Sequence, residues 1–559
     1  MKAALVSVAL LVWFQGTEPE ANRGTIEGLA SQTDTGRPLA DVAVSVRAID
    51  SSGASVDTRT DATGRFIVDV PAGQYLLTAQ RDGFLPGLGT GARLSSRTVR
   101  VEPGQRLRLR PLTFIATGRV EGRVLDSDGA PAAGFSVELL RIAYNSVGTR
   151  QWRVFGAAVA VNDLGEFASS GLAPGAYFVR VIRGPGRQVV DLEMPALARI
   201  AQITYYPGVP NGSTAAPIDV VPGGTAVANM RVLPSGTRTI HGVVVNALPG
   251  IERLPETTVL MVPEVAGAPV EVSAAHRVLI LPEGATGEFV LQDVQEGTYA
   301  LFAVAASTAS DSGFVVGRAG VAVGREDLHG VNLILSPGVT IAGRLTVRGS
   351  SSEVSLAAGR QSGGGQGTRV RIGSLIATGH SPQGDLRPPI VDGEEFAFRN
   401  VPAGTYAVLP AVIGSSSGTY VDEVRVNGRD GGDLIVNNAD LQLEVIANTD
   451  GSTIQVELSE GSEAPVQVVL IPEPPGRTDY LRYLSRGFSN GTEGIRLPRI
   501  PPGVYNLFVW ENPSGSPDAV PYMDPSFLRR YAARGTLLRV DRNSTQRVSV
   551  PLLRLDMPE

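Results

Sequence analysis

From residue 65 the chain alternates. Phe66, Val68 and Val70 are separated by Ile67 and Asp69, the period of two that marks a strand with one buried face. Pro71 has no N–H to give a ladder and ends the run, and Gly73 turns the chain. Tyr75, Leu77 and Ala79 then restart the alternation toward the same interior. Ahead of the first strand, Asp61–Gly64 has the make-up of a tight turn in which glycine takes a positive φ. The pattern therefore predicts a hairpin: turn, strand, Pro-Gly bend, strand. A tyrosine just past such a bend can bury its ring and return its hydroxyl to a loop carbonyl.

This stretch, Asp61–Tyr75, has four looser copies: Asn162–Tyr177, Ala285–Tyr299, Asp392–Tyr406 and Thr492–Tyr505. Each ends Gly-x-Tyr. The tyrosines Tyr75, Tyr177, Tyr299, Tyr406 and Tyr505 are 102, 122, 107 and 99 residues apart. A period near one hundred residues belongs to a β-sandwich module, since solenoid repeats are several times shorter.

The motif D-x-x-G-x-F…V-P-x-G-x-Y follows a second one, clear at Gly122–Val137 (GRVLDSDGAPAAGFSV), recognisable at Gly28–Val44, and fainter from Gly242 and Gly343. Together they resemble the carboxypeptidase regulatory-like module, a transthyretin-like sandwich grouped with carbohydrate-binding-like folds. The resemblance implies a fold more than a function. The expected architecture is all-β: a tandem array of about five β-sandwich modules of transthyretin-like or Ig-like Greek-key type after an N-terminal signal segment. The expected divisions are 1–21 (signal), 22–117, 118–236, 237–338, 339–440 and 441–559.

Within the first module the expected strands are Thr25–Ser31, Val42–Ile49, Val56–Thr60, Arg65–Val70, Tyr75–Gln80, Arg97–Val101 and Arg106–Ile115. In the second, Tyr144–Trp152 lengthens a hairpin, and Gln202–Val232 reads as a long loop and then a strand. The third opens with Thr239–Asn246 and closes with Val331–Leu335. The fourth contains a low-complexity hairpin loop, Gly359–Gly367. The fifth opens with Leu441–Glu457, closes with Thr545–Leu553, and holds a short helix after Asp524, with Pro525 in the first helical position. Linkers are nearly absent, which favours a semi-rigid rod.

Composition supports packed modules with many turns: 43% of the 559 residues are hydrophobic, and Gly (66) with Pro (39) makes up about a fifth of the chain. A net charge of −6 and a pI near 5.5 argue against nucleic acid as a partner. Absence of cysteine excludes disulfides, thiolate catalysis and cysteine-held zinc. Lys2 is the only lysine, so Lys–Asn isopeptide staples are excluded from the modules. Residues 1–16 carry one cation and an apolar run, Ala3–Phe14, too short to span a bilayer and fit for secretion. The mature chain is expected to be secreted, periplasmic or on the outer cell surface, with no transmembrane span.

Candidate chemistry is sparse. None of His241, His276, His329 and His380 has an acid three residues on, so the zinc motif of a carboxypeptidase is missing, as is HExxH. Gly414–Gly418 matches G-x-S-x-G, but β-like flanks make it a hairpin tip. Leu254–Thr258 imitates a sortase signal without its glycine or apolar tail. Asp126 and Asp128 could offer carboxylates to calcium but fit a plain turn better. No catalytic residue, cofactor or metal is assigned.

Binding rests on aromatics in or beside predicted loops: Trp152, Tyr205, Tyr206, Trp510 and Tyr522. Flat rings stack on the C–H faces of sugars, and Tyr205-Tyr206 is the best pair because strand neighbours cannot both enter one core. The preferred reading is a secreted non-catalytic interaction or scaffold protein, with a protein or polysaccharide of the cell envelope as partner. Carbohydrate binding through those rings is the alternative, and an enzyme using Glu394 and Glu395 a third. A TonB-dependent transporter would need further barrel strands.

Overall fold

The computed structural model describes residues 22–554 apart from 50–52, 88–94, 145–147, 184–195, 200–201, 235, 237, 265–276, 307–313, 350–353, 359–367, 379–388, 414–417, 432, 438–440, 460–465, 474–485, 490–494 and 512–521. The signal segment and the Gly359–Gly367 loop lie outside the described residues. No described helix is long and apolar enough to cross a membrane. Strands dominate, and the chain divides into two compact units, residues 1–115 and 116–559.

In the first unit, strand Arg23–Gln32 lies between an antiparallel partner, Arg65–Pro71, and two short parallel ones, Arg106–Arg108 and Leu112–Ala116. The sequence reads those last two as one strand. Pro111, which has no N–H, sits just ahead of the second. The facing sheet runs in the order Ser55–Arg59, Ala43–Ala48, Gly73–Gln80, Ser95–Val101. Phe66, Tyr75, Leu77, Leu112 and Phe114 close the interior between the two sheets.

The second unit repeats this plan four times, around four further interiors. Its opening strands are Gly118–Leu125, Arg238–Asn246, Val339–Arg348 and Ser452–Leu458. Each is antiparallel to the strand after the turn (Glu166–Leu172, Glu288–Val294, Glu395–Val401 and Ile495–Ile500). Each is also parallel to a closing strand.

Two local devices recur. Gly28, Gly122, Gly242 and Gly343 of the opening strands lie opposite Phe66, Phe167, Phe289 and Phe396. A Cβ on Gly28, Gly242 or Gly343 would fall 2.2, 2.3 or 2.2 Å from the ring, so the glycine makes room for the phenylalanine. In the fifth repeat Val456 faces Ile495, a larger residue against a smaller one.

The second device is the corner. Tyr75, Tyr177, Tyr299, Tyr406 and Tyr505 donate their hydroxyls to the carbonyls of Pro71, Ala173, Gln295, Pro402 and Pro501, at 2.7, 2.8, 3.1, 3.0 and 2.8 Å. All five bonds reach back four residues. The glycine two before each tyrosine keeps the ring close: at Gly404 a Cβ would lie 3.1 Å from the Tyr406 hydroxyl. Burial pushes the phenols of Tyr177 and Tyr299 up, and that of Tyr406 to about 12.

Several sequence expectations fail here for identifiable reasons. Leu441–Glu457 is two strands, and the first, Leu441–Asn448, closes the sheet opened by Val339–Arg348. Gln202–Val232 is not chiefly loop, because Gln202–Tyr205 pairs with Gly175–Arg183 and Ile218–Val220 pairs there too. The strands flanking 414–417, Gly404–Ile413 and Tyr420–Val426, join different sheets, so the connection is a crossover and not a hairpin. Val354–Ala358 and Thr368–Ala377 pair in parallel, which no hairpin loop allows.

The rod expectation also fails within the second unit. Ala196–Arg199, from the second repeat, adds a parallel strand to Glu288–Val294 of the third. Tyr144, on the lengthened hairpin of the second repeat, lies near enough to Asp524 of the fifth that its carboxylate, after burial, raises the phenol's pKa. Modules laid end to end would keep those residues apart.

Candidate functional site

The five candidate aromatics fall mostly inside the protein. Trp152, Tyr205, Trp510 and Tyr522 are 8, 3, 0 and 5% exposed, and Tyr206 is half-buried. Their burial corrects the loop reading: rings enclosed in this way offer no face to a sugar.

They build second cores on the far side of the tyrosine-bearing sheet. In the second repeat Trp152 meets Phe178 edge-on at 4.6 Å and stacks loosely with Tyr205 at 6.5 Å, next to Leu140. Tyr206 points the other way and packs against the sandwich interior. The premise that neighbouring tyrosines cannot share one core holds, but there is a core on each side. Arg180, wholly buried, bonds Glu138 at 2.6 Å and lies 3.4 Å from the Tyr205 hydroxyl.

In the fifth repeat Trp510 stacks on Phe508 at 5.1 Å and meets Tyr531 edge-on at 5.6 Å. Tyr522, Phe527 and Leu553 complete that cluster. The cover is the expected helix, Pro525–Tyr531, whose N-cap Asp524 accepts from the Ser526 N–H at 2.8 Å. Sequence reasoning found the helix and the tryptophan separately and did not join them.

Other motifs resolve into turns and packing. Asp126 Oδ1 accepts from the N–H groups of Asp128 and Ala130 at 2.9 and 2.8 Å, an Asx turn. Leu254 is buried and Thr257 wholly so, as befits a strand entering a core. Glu394 sits exposed on a turn, and Glu395, 73% exposed, lies 3.8 Å from Arg344. Both are solvated carboxylates. Among the described residues no group of three or more His, Cys, Asp and Glu could hold a metal ion.

One open polar surface lies on the six-stranded sheet containing Val339–Arg348 and Leu441–Asn448. A groove of about 710 Å³ runs over Gly343 between Arg344, Glu395, Arg399, Gln442 and Glu444. Beside it Arg425 binds Glu423 at 2.9 Å, and Thr346 donates to Glu444 at 2.8 Å. Charges of both signs alternate across this face, a pattern suited to holding a polar partner.

Residues 25–111 match the family model of the carboxypeptidase regulatory-like domain. The first unit is similar to that domain over those residues. No curated protein matches the chain. Among solved structures, the Bacillus anthracis TIE protein is similar over 56% of this chain and 50% of its own, at 11% identity and a TM-score of 0.17. A minor pilin of Streptococcus agalactiae is similar over 39% of this chain and 98% of its own, at 13% identity and a TM-score of 0.20. The major pilin subunit of Bacillus cereus is similar over 56% and 99%, at 10% identity and a TM-score of 0.16. This chain thus spans half the length of the first protein and nearly all of the two pilins. Overlaps this loose are distant resemblances and no more.

The matched stretch shows how the motif's polar positions are used. Asp61 Oδ1 accepts from the Thr63 hydroxyl and from the N–H groups of Thr63 and Arg65, all within 2.9 Å, and these bonds lower its pKa. Glu27 is held by Arg106, and by Arg108 at 3.3 Å; the Arg106 hydrogen bond leads in lowering its pKa against partial burial.

Proposed function

We propose that the chain is a non-catalytic, multi-module interaction or scaffold protein that works outside the cytoplasm, at the cell envelope. Its divisions follow the five interiors: 22–117, 118–236, 237–338, 339 to about 448, and the remainder. The observation that carries this reading is the corner hydrogen bond, repeated five times with one geometry. The repeated residues are spent on closing interiors. What differs from repeat to repeat lies on outer faces, where partners bind. The charged face beside Gly343 is the surface best built for a polar protein partner.

Cross-linking of the secreted chain to envelope fractions tests this. Capture of a protein that is lost on Glu395→Arg with Glu444→Arg supports it. Turnover of a substrate by the purified chain, or capture indifferent to every charge on that face, contradicts it. The burial of Trp152, Tyr205, Trp510 and Tyr522 weighs against sugar binding through those rings.

A further inference from the structure

We infer that the third repeat carries a bis-imidazole site for a divalent transition-metal ion, formed by His241 and His329. His241 lies on the opening strand Arg238–Asn246 and His329 on the parallel closing strand Leu328–Leu335. The register between them slips at this point: Ile240 faces Leu328, but Gly242 faces Val331. His329 and Gly330 together therefore oppose His241, which is a β-bulge. Bulges re-aim side chains, and this one turns His329 onto its neighbour. Gly330 supplies the left-handed backbone, with φ of 75°.

The result is two imidazoles with ring centroids 4.4 Å apart and planes 16° from parallel. His329 is exposed and His241 half-buried. Among the described residues no hydrogen bond or ion pair engages either ring, so their nitrogens are available.

Plain packing explains the pair poorly, because an exposed polar ring gains little from being stacked and needs no bulge to place it. Ligation explains it better. Neutral imidazole suits copper, nickel and zinc, and two such donors a few ångströms apart chelate one ion. Stacked rings have nearly parallel lone pairs, so each must rotate about its Cβ–Cγ bond to converge. That torsion is broad for histidine, and His329 has solvent around it. With two nitrogens and the remaining positions left to water, the set favours tetragonal Cu²⁺ over Ni²⁺ and Zn²⁺.

The test is calorimetric titration of the full chain with Cu²⁺, Ni²⁺ and Zn²⁺, with electron paramagnetic resonance of the Cu²⁺ complex. The site predicts that Cu²⁺ binds tightest and that its spectrum shows two imidazole nitrogens. His329→Ala and His241→Gln should each weaken Cu²⁺ binding at least about tenfold, since each removes one arm of the chelate. His329→Ala, at an exposed position, should leave the melting temperature unchanged. Equal Cu²⁺ affinity in the parent and both variants, fewer than two nitrogens, or no binding at about 1 mM ion would overturn the proposal.

Discussion

The tyrosine strand of the first repeat, Gly73–Gln80, and that of the fifth, Gly503–Glu511, begin alike and end differently. Tyr75, Leu77 and Ala79 enter one interior, and Tyr505, Leu507 and Val509 enter the other. On the opposite face the first strand carries Thr78 and Gln80, while the fifth carries Phe508 and Trp510. The neighbouring strands follow suit: Ala43–Ala48 alternates in burial, whereas Val466–Ile471 is buried without a break. One sheet has a wet face and the other is dry on both sides, with a helix as the second cover. A single hairpin recipe thus supports a two-layer and a three-layer module, and the outer face alone decides which.

The largest way to break this comparison is to remove the ring that joins the extra layer. Trp510→Ala should destabilise the fifth repeat by about 3–5 kcal/mol, read as lost hydrogen-exchange protection in Val466–Pro472 and Pro525–Tyr531. Its positional counterpart, Gln80→Ala, should stay within about 0.5 kcal/mol. Equal effects would abolish the distinction.

The opening strands give a smaller contrast. Gly28→Ala should cost about 1–3 kcal/mol, because the new methyl meets the Phe66 ring. Gly28→Ala with Phe66→Ile, which approaches the Val456–Ile495 pairing of the fifth repeat, should recover part of that loss. No recovery would show that the pair is not the unit of packing.

The corner is common to both and should respond alike. Tyr75→Phe and Tyr505→Phe should each cost about 1 kcal/mol, the net worth of one hydrogen bond. A difference between them well beyond that figure would show that the corners are not equivalent.

The smallest effect is acid sensitivity in the first repeat. Glu27 and Asp61 have pKa values lowered by their bonds to Arg106 and to Thr63. A lowered carboxyl stabilises the fold above its unfolded value, about 4, and that share disappears as pH falls through the folded value. Protection of strands Arg23–Gln32 and Arg65–Pro71 should therefore decline as pH falls below the ordinary carboxyl value of about 4, and Glu27→Gln should flatten the decline. An unchanged slope in the variant would remove Glu27 from the explanation.

Much of the fold was legible because the repeat states it in local terms: a turn, an alternating strand, a bend and a tyrosine. The corner could be foreseen because its partner carbonyl lies four residues away. The Leu441–Glu457 boundary could not, since only Asp450-Gly451 interrupts two apolar runs that pair in different sheets. The aromatics were misplaced for a related reason. A tryptophan near the end of a strand reads the same whether solvent or a helix covers it, and the unbroken run Val468–Ile471 was the available sign of a second dry face. The His241–His329 pair was invisible, because only a bulge joins two residues 88 positions apart.

The claim that the aromatics are core and not binding surface can be tested directly by acrylamide quenching of tryptophan emission, in a chain with Trp13→Phe so that Trp152 and Trp510 report alone. Blue-shifted emission, resistant to quencher until the protein unfolds and unmoved by soluble polysaccharides, is the predicted result. Red-shifted emission that is readily quenched, and that a polysaccharide then protects, would contradict it.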